Sequence, residues 1–153
     1  MTTFTIDSDV LIELYRRYPK DIFPTIWSNF EALISEALVC ICQFVRVEIA
    51  RGTDSLIVWV DSIPNFICDV TDEEMLLAHE ISNRFPGWLR EMKNAGDPFI
   101  IAHAKINSHQ VVSNEYPAPN AEPQNQKLPS VALREGVIVL NLLEFARVHN
   151  WTF

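Results

Sequence analysis

The chain has 153 residues, of which 48% are apolar and 21% are charged, and its formal net charge is −8. This balance is typical of a soluble globular domain with its own core and excludes a disordered chain. The acidic charge excludes a protein that holds nucleic acid through a broad basic surface, but it allows a nuclease whose divalent metal ions reverse the local charge.

The first part of the chain predicts two short strands, each followed by a helix. FTI at 4–6 is a β-prone run that ends at Asp7, and apolar residues then recur at helical spacing. Pro24 opens a second helix, because proline is favoured in the first turn. LVCIC at 38–42 predicts a short buried strand, and QFVRVEIAR at 43–51 predicts the next helix.

The middle of the chain predicts helices. SLIVWVDS at 55–62 fits either a helix or a strand, and we favour a helix. Thr71 has the spacing of a capping box and begins another helix. GWLREMKN at 87–94 predicts that the helix restarts. The pair Asp97 and Pro98 then opens a further helix, with the aspartate as N-cap and the proline at the first helical position.

The last part of the chain predicts two more strands, at 110–113 and 137–140, and a final helix with the sequence LLEFARV. Between the two strands, 116–129 contains four prolines and no apolar periodicity, which predicts a Pro-rich loop or flap. Short apolar strands that alternate with helices indicate a three-layer α/β/α sandwich with a central, mainly parallel sheet. We expect it to form a single domain over 1–153.

Acidic side chains stand where ligands bind in such sheets, beside the carboxyl ends of the strands. Asp7 and Asp9 follow the first strand, Glu115 follows the strand at 110–113, Asp97 opens the helix before it, and Glu48 interrupts an apolar helix. Each acid also has an ordinary interpretation as a turn, cap or solvated residue. Carboxylates that converge repel one another unless a cation binds or their pKa values rise. Oxygen ligands favour Mg²⁺ or Mn²⁺, which serve phosphodiester hydrolysis.

Four short motifs resemble those of PIN domains, in the same order along the chain. They are FTIDSDVLIELYRRY, QFVRVEIAR, AGDPFIIAHAK and VVSNE. With RRYPKDIFPTIW near the start and KLP after the last motif, the fuller pattern resembles uncharacterised PIN-like proteins related to VapC-type toxin ribonucleases. The resemblance covers nearly the whole chain and implies a PIN-like fold.

The resemblance also implies an activity, a cofactor and a set of residues. The activity would be that of an Mg²⁺- or Mn²⁺-dependent endoribonuclease that acts as the toxin of a toxin–antitoxin pair. The implied metal ligands and catalytic acids are Asp7, Glu48, Asp97 and Glu115. Ser113 would support the site through a hydrogen bond, and Asp9 replaces a common Asn or Ser. Because Glu115 stands where Asp is more usual, it would reach the metal through water.

Substrate and partners follow from the same resemblance. Lys127, in the Pro-rich segment, and Arg16 are the basic residues that we expect to meet RNA phosphates. The antitoxin would be a protein with a basic segment that the acidic chain attracts. A homodimer could form through a helical face around Trp27, Phe30 and Leu33.

Two alternatives stay open. A PIN-like module that binds proteins without catalysis would share the fold, although the four acidic positions are kept. The D-x-D at 7–9 and the G-D at 96–97 also resemble motifs of haloacid-dehalogenase-type phosphatases. Against that reading, Leu11 replaces the usual Thr or Val, and Ile101 stands where a second Asp is expected.

The cysteines and histidines predict no metal centre. Cys40 and Cys42 form a C-x-C on the second strand, but no second pair completes a zinc site, so we expect buried core thiols. The four histidines lack metal-ligand spacing, and His103 is expected on a helix surface or in the core. Three cysteines without framework spacing, no signal peptide and no run long enough to span a bilayer predict a cytoplasmic protein.

Overall fold

The computed structural model describes residues 1–52, 55–89 and 95–153. The strands in this part of the chain are β1 (Phe4–Ile6), β2 (Val39–Cys42), β3 (Ile67–Cys68), β4 (Gln110–Val112) and β5 (Val139–Leu140). They form one sheet in the order β3-β2-β1-β4-β5, and every neighbouring pair is parallel. Because parallel strands end on the same side, the carboxyl ends of β1 and β4 lie next to each other at one edge of the sheet.

Helices pack against this sheet and against one another. The helices are α1 (Ser8–Arg17), α2 (Pro24–Ser35), α3 (Gln43–Ala50), α4 (Leu56–Ser62), α5 (Asp72–Arg84), α6 (Asp97–Asn107), α7 (Leu128–Arg134) and α8 (Leu142–Val148). Helix α1 contacts α3 and α4, whereas α6 contacts α5 and α7. The predicted α/β/α sandwich around a parallel sheet is confirmed.

Two uncertain local predictions are confirmed. SLIVWVDS is helical from Leu56 to Ser62, which settles the choice between helix and strand. The capping box at the start of α5 is complete, because the Thr71 hydroxyl accepts from the Glu74 N–H at 3.2 Å while the Thr71 N–H donates to the Glu74 carboxylate at 2.7 Å. These two bonds satisfy backbone donors that the first helical turn leaves open.

The sequence prediction missed strand β3 and helix α7. Strand β3 has only two residues, too few to show an alternating pattern. Helix α7 begins at Leu128, so the predicted loop over 116–129 is two residues too long, and a short 3₁₀ turn at Pro123–Asn125 interrupts it. The loop is also pinned, since Gln126 is buried and donates to the Ala121 carbonyl at 2.7 Å.

The helix predicted to open at Asp97 and Pro98 is present, but the aspartate is not its N-cap. Asp97 is the first residue of α6, and Gly96 occupies the N-cap position without a side-chain hydrogen bond. The Asp97 carboxylate lines a pocket with other acids instead of capping the backbone. For the predicted helix at 87–94, residues 87–89 are not helical and Gly87 has a φ of +79°, while 90–94 lie outside the described residues.

The apolar face suggested for a homodimer is buried within the chain. Trp27, Phe30 and Leu33 are 3%, 0% and 9% exposed, so they belong to the core and cannot form a surface for a second copy. The indole of Trp27 also packs edge-on against Trp59, with ring centroids 4.9 Å apart. A homodimer would therefore need another surface.

Among the described helices, none is long and apolar enough to cross a membrane.

Candidate active site

An acidic pocket of about 270 Å³ opens at the carboxyl edge of the sheet. Its lining residues, which define the name acidic pocket below, are Asp7, Ser8, Asp9, Glu48, Arg51, Asp97 and Glu115. They come from four separate parts of the chain: the end of β1 with the start of α1, the last turn of α3, the start of α6, and the segment after β4. The topology thus brings the four acids implied by the resemblance to one place.

Asp7 is held firmly at the floor of the pocket. It is 3% exposed and caps α1, with its Oδ1 accepting from the Ser8 N–H at 2.7 Å. Its Oδ2 accepts from the Ser113 hydroxyl at 2.8 Å, across the adjacent ends of β1 and β4. Both oxygens are therefore oriented before any ligand binds.

Asp97 and Glu48 form the opposite wall. Asp97 is 5% exposed, and its Oδ2 has no hydrogen-bond partner among the described residues. Glu48 accepts a hydrogen bond from the Ser8 hydroxyl. A Cβ atom at Gly96 would lie only 2.5 Å from Glu48 Oε1, so the glycine leaves the space in which this carboxylate sits.

Asp9 and Glu115 are fixed by backbone donors. The Asn114 N–H donates to Asp9 Oδ2 at 3.0 Å, whereas Asp9 Oδ1 is buried without a partner among the described residues. Glu115 Oε2 accepts from the Leu128 N–H at 3.0 Å, at the start of α7. One Glu115 oxygen is therefore occupied by the protein, which suits an acid that reaches a metal through water.

Asn114 is a positioning residue that sequence reasoning missed. Its amide donates to Glu13 at 2.8 Å, and its side-chain carbonyl accepts from the Leu142 N–H at 3.0 Å. It thus links α1, the end of β4 and the start of α8 while its own N–H holds Asp9. The only signal was its place inside the VVSNE motif, between two residues that were singled out.

Burial and mutual repulsion raise the pKa values of three acids. Burial, then the charges of Asp9 and Asp97, raise the pKa of Asp7 well above its usual value. Burial, then the charges of Glu115 and Glu48, do the same for the pKa of Asp97. The pKa of Asp9 rises to about 6, chiefly through burial and to a lesser degree through Glu115. A bound cation would relieve this repulsion.

The two basic residues predicted to meet RNA stand at different distances from the pocket. Lys127 is exposed, and its charge opposes the rise in the Asp97 pKa, so it lies near the pocket. Arg16 sits near the far end of α1, eight residues after Ser8, which is about 12 Å along a helix. Arg51 lines the pocket instead. It stands three residues after Glu48, a spacing that places both on one helical face and could have indicated it.

A larger groove of about 700 Å³ adjoins the acidic pocket and shares Glu115 with it. Its lining includes the exposed apolar side chains of Tyr116, Leu133 and Leu143, which are 86%, 73% and 65% exposed. Glu13 also lines the groove. The surface beside the acidic pocket therefore combines apolar contact area with negative charge.

These features define an α/β protein with a buried acidic pocket at the carboxyl edge of a parallel sheet. The chain belongs to the family described as domain of unknown function DUF4411, whose model matches residues 4–153. No curated protein matches it.

Solved structures with different sequences share the fold. VapBC from Salmonella typhimurium, bound to DNA, is 18% identical, with 92% of this chain and 98% of that chain covered and a TM-score of 0.58. FitAcB from Neisseria gonorrhoeae is 17% identical, with 91% and 97% covered and a TM-score of 0.56. VapBC2 from Rickettsia felis, bound to a promoter DNA fragment, is 14% identical, with 92% and 98% covered and a TM-score of 0.55.

Proposed function

We propose that this protein is a PIN-like, Mg²⁺- or Mn²⁺-dependent endoribonuclease and the toxin of a toxin–antitoxin pair. The observation that carries the proposal is the convergence of Asp7, Glu48, Asp97 and Glu115 on one pocket. Residues up to 108 positions apart in the chain meet there at the sheet edge where ligands bind in parallel α/β proteins.

The donor set of the pocket fits a hard divalent cation. Its acids offer only carboxylate oxygens, and Asp97 Oδ2 and Asp9 Oδ1 are buried without partners among the described residues. Among the described residues, the one set of three ligand atoms within 4.8 Å of one another lies outside this pocket. The carboxylates of the pocket are spaced more widely, so some of them would hold an ion through water. Mg²⁺ commonly keeps several waters in this way. When bound, the ion would supply Lewis acidity and an activated water.

The protein's own side chains would position the substrate and the acids. Arg51, in the pocket, and Lys127, near Asp97, would pair with phosphate oxygens of the substrate. Ser113 holds Asp7, and Asn114 holds Asp9, so both acids keep their orientation as the phosphate enters. Preorganised charge of this kind is what phosphoryl chemistry requires from a protein.

The groove beside the pocket suits an antitoxin segment. Its exposed apolar side chains would accept an apolar stretch, and Glu13 and Glu115 would pair with basic residues of the same segment. The structural neighbours VapBC and FitAB are themselves complexes, and three of the four structures are described as bound to DNA. The net charge of −8 favours a basic partner.

The phosphatase alternative has little structural support. Its second motif requires an acid at position 101, but Ile101 is fully buried in the core. The remaining alternative, a module that binds proteins without catalysis, is decided by experiment.

Incubation of the purified protein with single-stranded and structured RNA tests the proposal directly. We expect cleavage with Mn²⁺ or Mg²⁺ and none with EDTA. Asp97→Asn should lower the rate by at least about 100-fold, because removal of a metal-holding carboxylate exceeds the effect of losing an outer-shell partner. Asp21→Asn, at an exposed turn outside the pocket, is the matched control and should retain full activity. A folded protein that cleaves neither RNA with any divalent ion would instead be a binding module.

A further inference from the structure

A second cluster of ligand-type side chains lies apart from the acidic pocket, between the sheet and α6. Cys40 from β2, Cys68 from β3 and His103 from α6 each present one ligand atom, and these atoms all lie within 4.8 Å of one another. Cys40 Sγ lies 3.5 Å from His103 Nε2. In the described chain no other three cysteine, histidine or acid ligand atoms lie this close together.

His109 lies beside this group and offers a further nitrogen, which is close to Cys40 but not within 4.8 Å of all three ligand atoms. Its Nδ1 lies 3.9 Å from Cys40 Sγ, and its ring meets the ring of His103 edge-on with centroids 5.2 Å apart. The same nitrogen is 2.9 Å from the Thr5 hydroxyl, which is its other neighbour. Together with Cys68, these residues provide two sulfur and two imidazole ligands, and we call them the Cys/His cluster.

The surroundings of His103 match those of a metal-bound imidazole. His103 Nδ1 is hydrogen-bonded to the carboxylate of Glu74, which is 1% exposed. Asn107 donates to the same Glu74 oxygen at 3.0 Å and so holds the acid in place. A proton on Nδ1 leaves the lone pair of Nε2 directed at the sulfur atoms. Metal-binding histidines almost always donate their other N–H to a carboxylate or carbonyl in this manner.

Cys68 is half-buried, which leaves a path from solvent to the cluster. Cys42, two residues from Cys40 on the same strand, is buried and is not part of the cluster.

We propose that Cys40, Cys68, His103 and His109 bind one zinc-class divalent ion. Two sulfur and two imidazole ligands are a set that Zn²⁺ takes in four-coordinate structural sites, and the four residues leave no open position for a substrate. On binding, Cys40 and Cys68 would each release a thiol proton to solvent as their sulfur atoms bond to the metal. The ion would tie β2, β3 and α6 together at a point remote from the acids that define the proposed nuclease site. The site has no signature in the sequence, because its ligands lie at positions 40, 68, 103 and 109 and form no paired spacing.

The test uses the reduced, tag-free, full-length protein, because an affinity tag rich in histidine would itself bind metal. We expect about one equivalent of zinc by elemental analysis after purification without chelator. Replacement with Co²⁺ should give a sulfur-to-cobalt charge-transfer band in the near ultraviolet, and added zinc should raise the Tm. Cys68→Ser and His103→Ala should lose the band, while Cys42→Ala, the matched core control, should keep it.

Two further variants are needed. One weakens the support of a proposed ligand, and the other tests whether the cluster is independent of the acidic pocket. Glu74→Gln keeps the capping oxygen for α5 but weakens the acceptor for His103, and should weaken Co²⁺ binding about 10- to 100-fold. Asp97→Asn should bind Co²⁺ through sulfur as the wild type does, which separates this site from the acidic pocket. Circular dichroism confirms that each variant is folded. The proposal is overturned if folded wild type shows no sulfur-to-cobalt band, if Cys68→Ser binds zinc as tightly as wild type, or if the reduced protein binds none and only a Cys40–Cys68 disulfide forms in air.

Discussion

The acidic pocket and the Cys/His cluster both gather titratable side chains from distant parts of the chain, but they satisfy these groups in opposite ways. In the acidic pocket, burial and neighbouring carboxylates raise the pKa values of Asp7 and Asp97, and Asp97 Oδ2 lacks a partner in the described structure. In the cluster, His103 bonds both to Glu74 and to the Cys40 sulfur. In the acidic pocket the fold keeps carboxylates together despite their mutual repulsion, whereas in the cluster hydrogen bonds already join the side chains.

The difference has a physical consequence for folding without metal. The acidic pocket destabilises the metal-free protein at neutral pH, because desolvated like charges repel in a low effective dielectric. The Cys/His cluster does not, since its hydrogen bonds remain when no ion is present. Changes to the acids should therefore alter activity and stability in opposite directions, and changes to the cluster should not.

The largest expected effect is that of Asp7→Asn. It should lower ribonuclease activity by at least about 100-fold, because a carboxylate proposed to hold the metal is lost. The same change should stabilise the metal-free protein by about 1–3 kcal/mol, because a buried charge with a raised pKa is removed while the Ser113 bond can persist. RNA cleavage rates and urea unfolding in EDTA measure the two effects. A variant that loses activity and stability together would contradict the contrast between the sites.

The pH dependence of stability gives the next largest effect. An aspartate whose pKa is raised on folding stabilises the protein below its unfolded pKa, and this contribution disappears as pH rises through the folded pKa. For Asp9 the window runs from its ordinary pKa of 3.8 to about 6, and a shift of this size corresponds to about 3 kcal/mol of unfolding free energy. In EDTA the unfolding free energy should therefore fall between pH 4 and pH 7, and Asp9→Asn should flatten the fall. Mn²⁺ should restore stability at pH 7, and an unchanged profile with and without Mn²⁺ would argue against a cation site.

The parts of this picture that the sequence could predict are those set by local pattern. Asp7, Asp97 and Glu115 were found because each stands beside an apolar strand or helix start, and parallel strands bring such positions to one edge. The α/β/α sandwich followed from the same alternation. Short local signals were enough because strand direction, once parallel, fixes which ends meet.

The parts that the sequence could not predict depend on contacts between distant residues. Cys68 meets Cys40 only because β3, a strand of two residues, pairs with β2. Gly96 looked like an ordinary residue before a helix, yet its missing side chain makes room for Glu48, 48 positions earlier. The charge of Arg16 is visible in the sequence, but its distance from the acids along α1 is not. Spacing along the chain carries no information about such approaches.

Gly96→Ala should have a smaller effect on the activity of the acidic pocket. Its new Cβ would lie 2.5 Å from Glu48 Oε1, and the carboxylate, as the end of a flexible side chain, would move rather than the backbone. We expect roughly a 10-fold loss of activity, comparable to the loss of an outer-shell contact, with an unchanged Tm. Combined with Glu48→Gln, the glycine change should add little, because both act through one carboxylate. Full additivity in this double-mutant cycle would show that Gly96 acts elsewhere.

The smallest expected effect is that of removing a basic side chain. One lysine and one arginine, at different distances from the acids, are compared. Lys127→Ala should raise the KM for RNA a few-fold and weaken the dependence of binding on salt, because its charge is felt at Asp97 and it is exposed to a phosphate. Arg16→Ala is the matched control, and should leave KM unchanged, because it lies about 12 Å along α1 from Ser8. Kinetics at low and high salt measure both variants. If Arg16→Ala raised KM as much as Lys127→Ala, the RNA would have to extend along α1, and the basic contacts would not be confined to the rim of the acidic pocket.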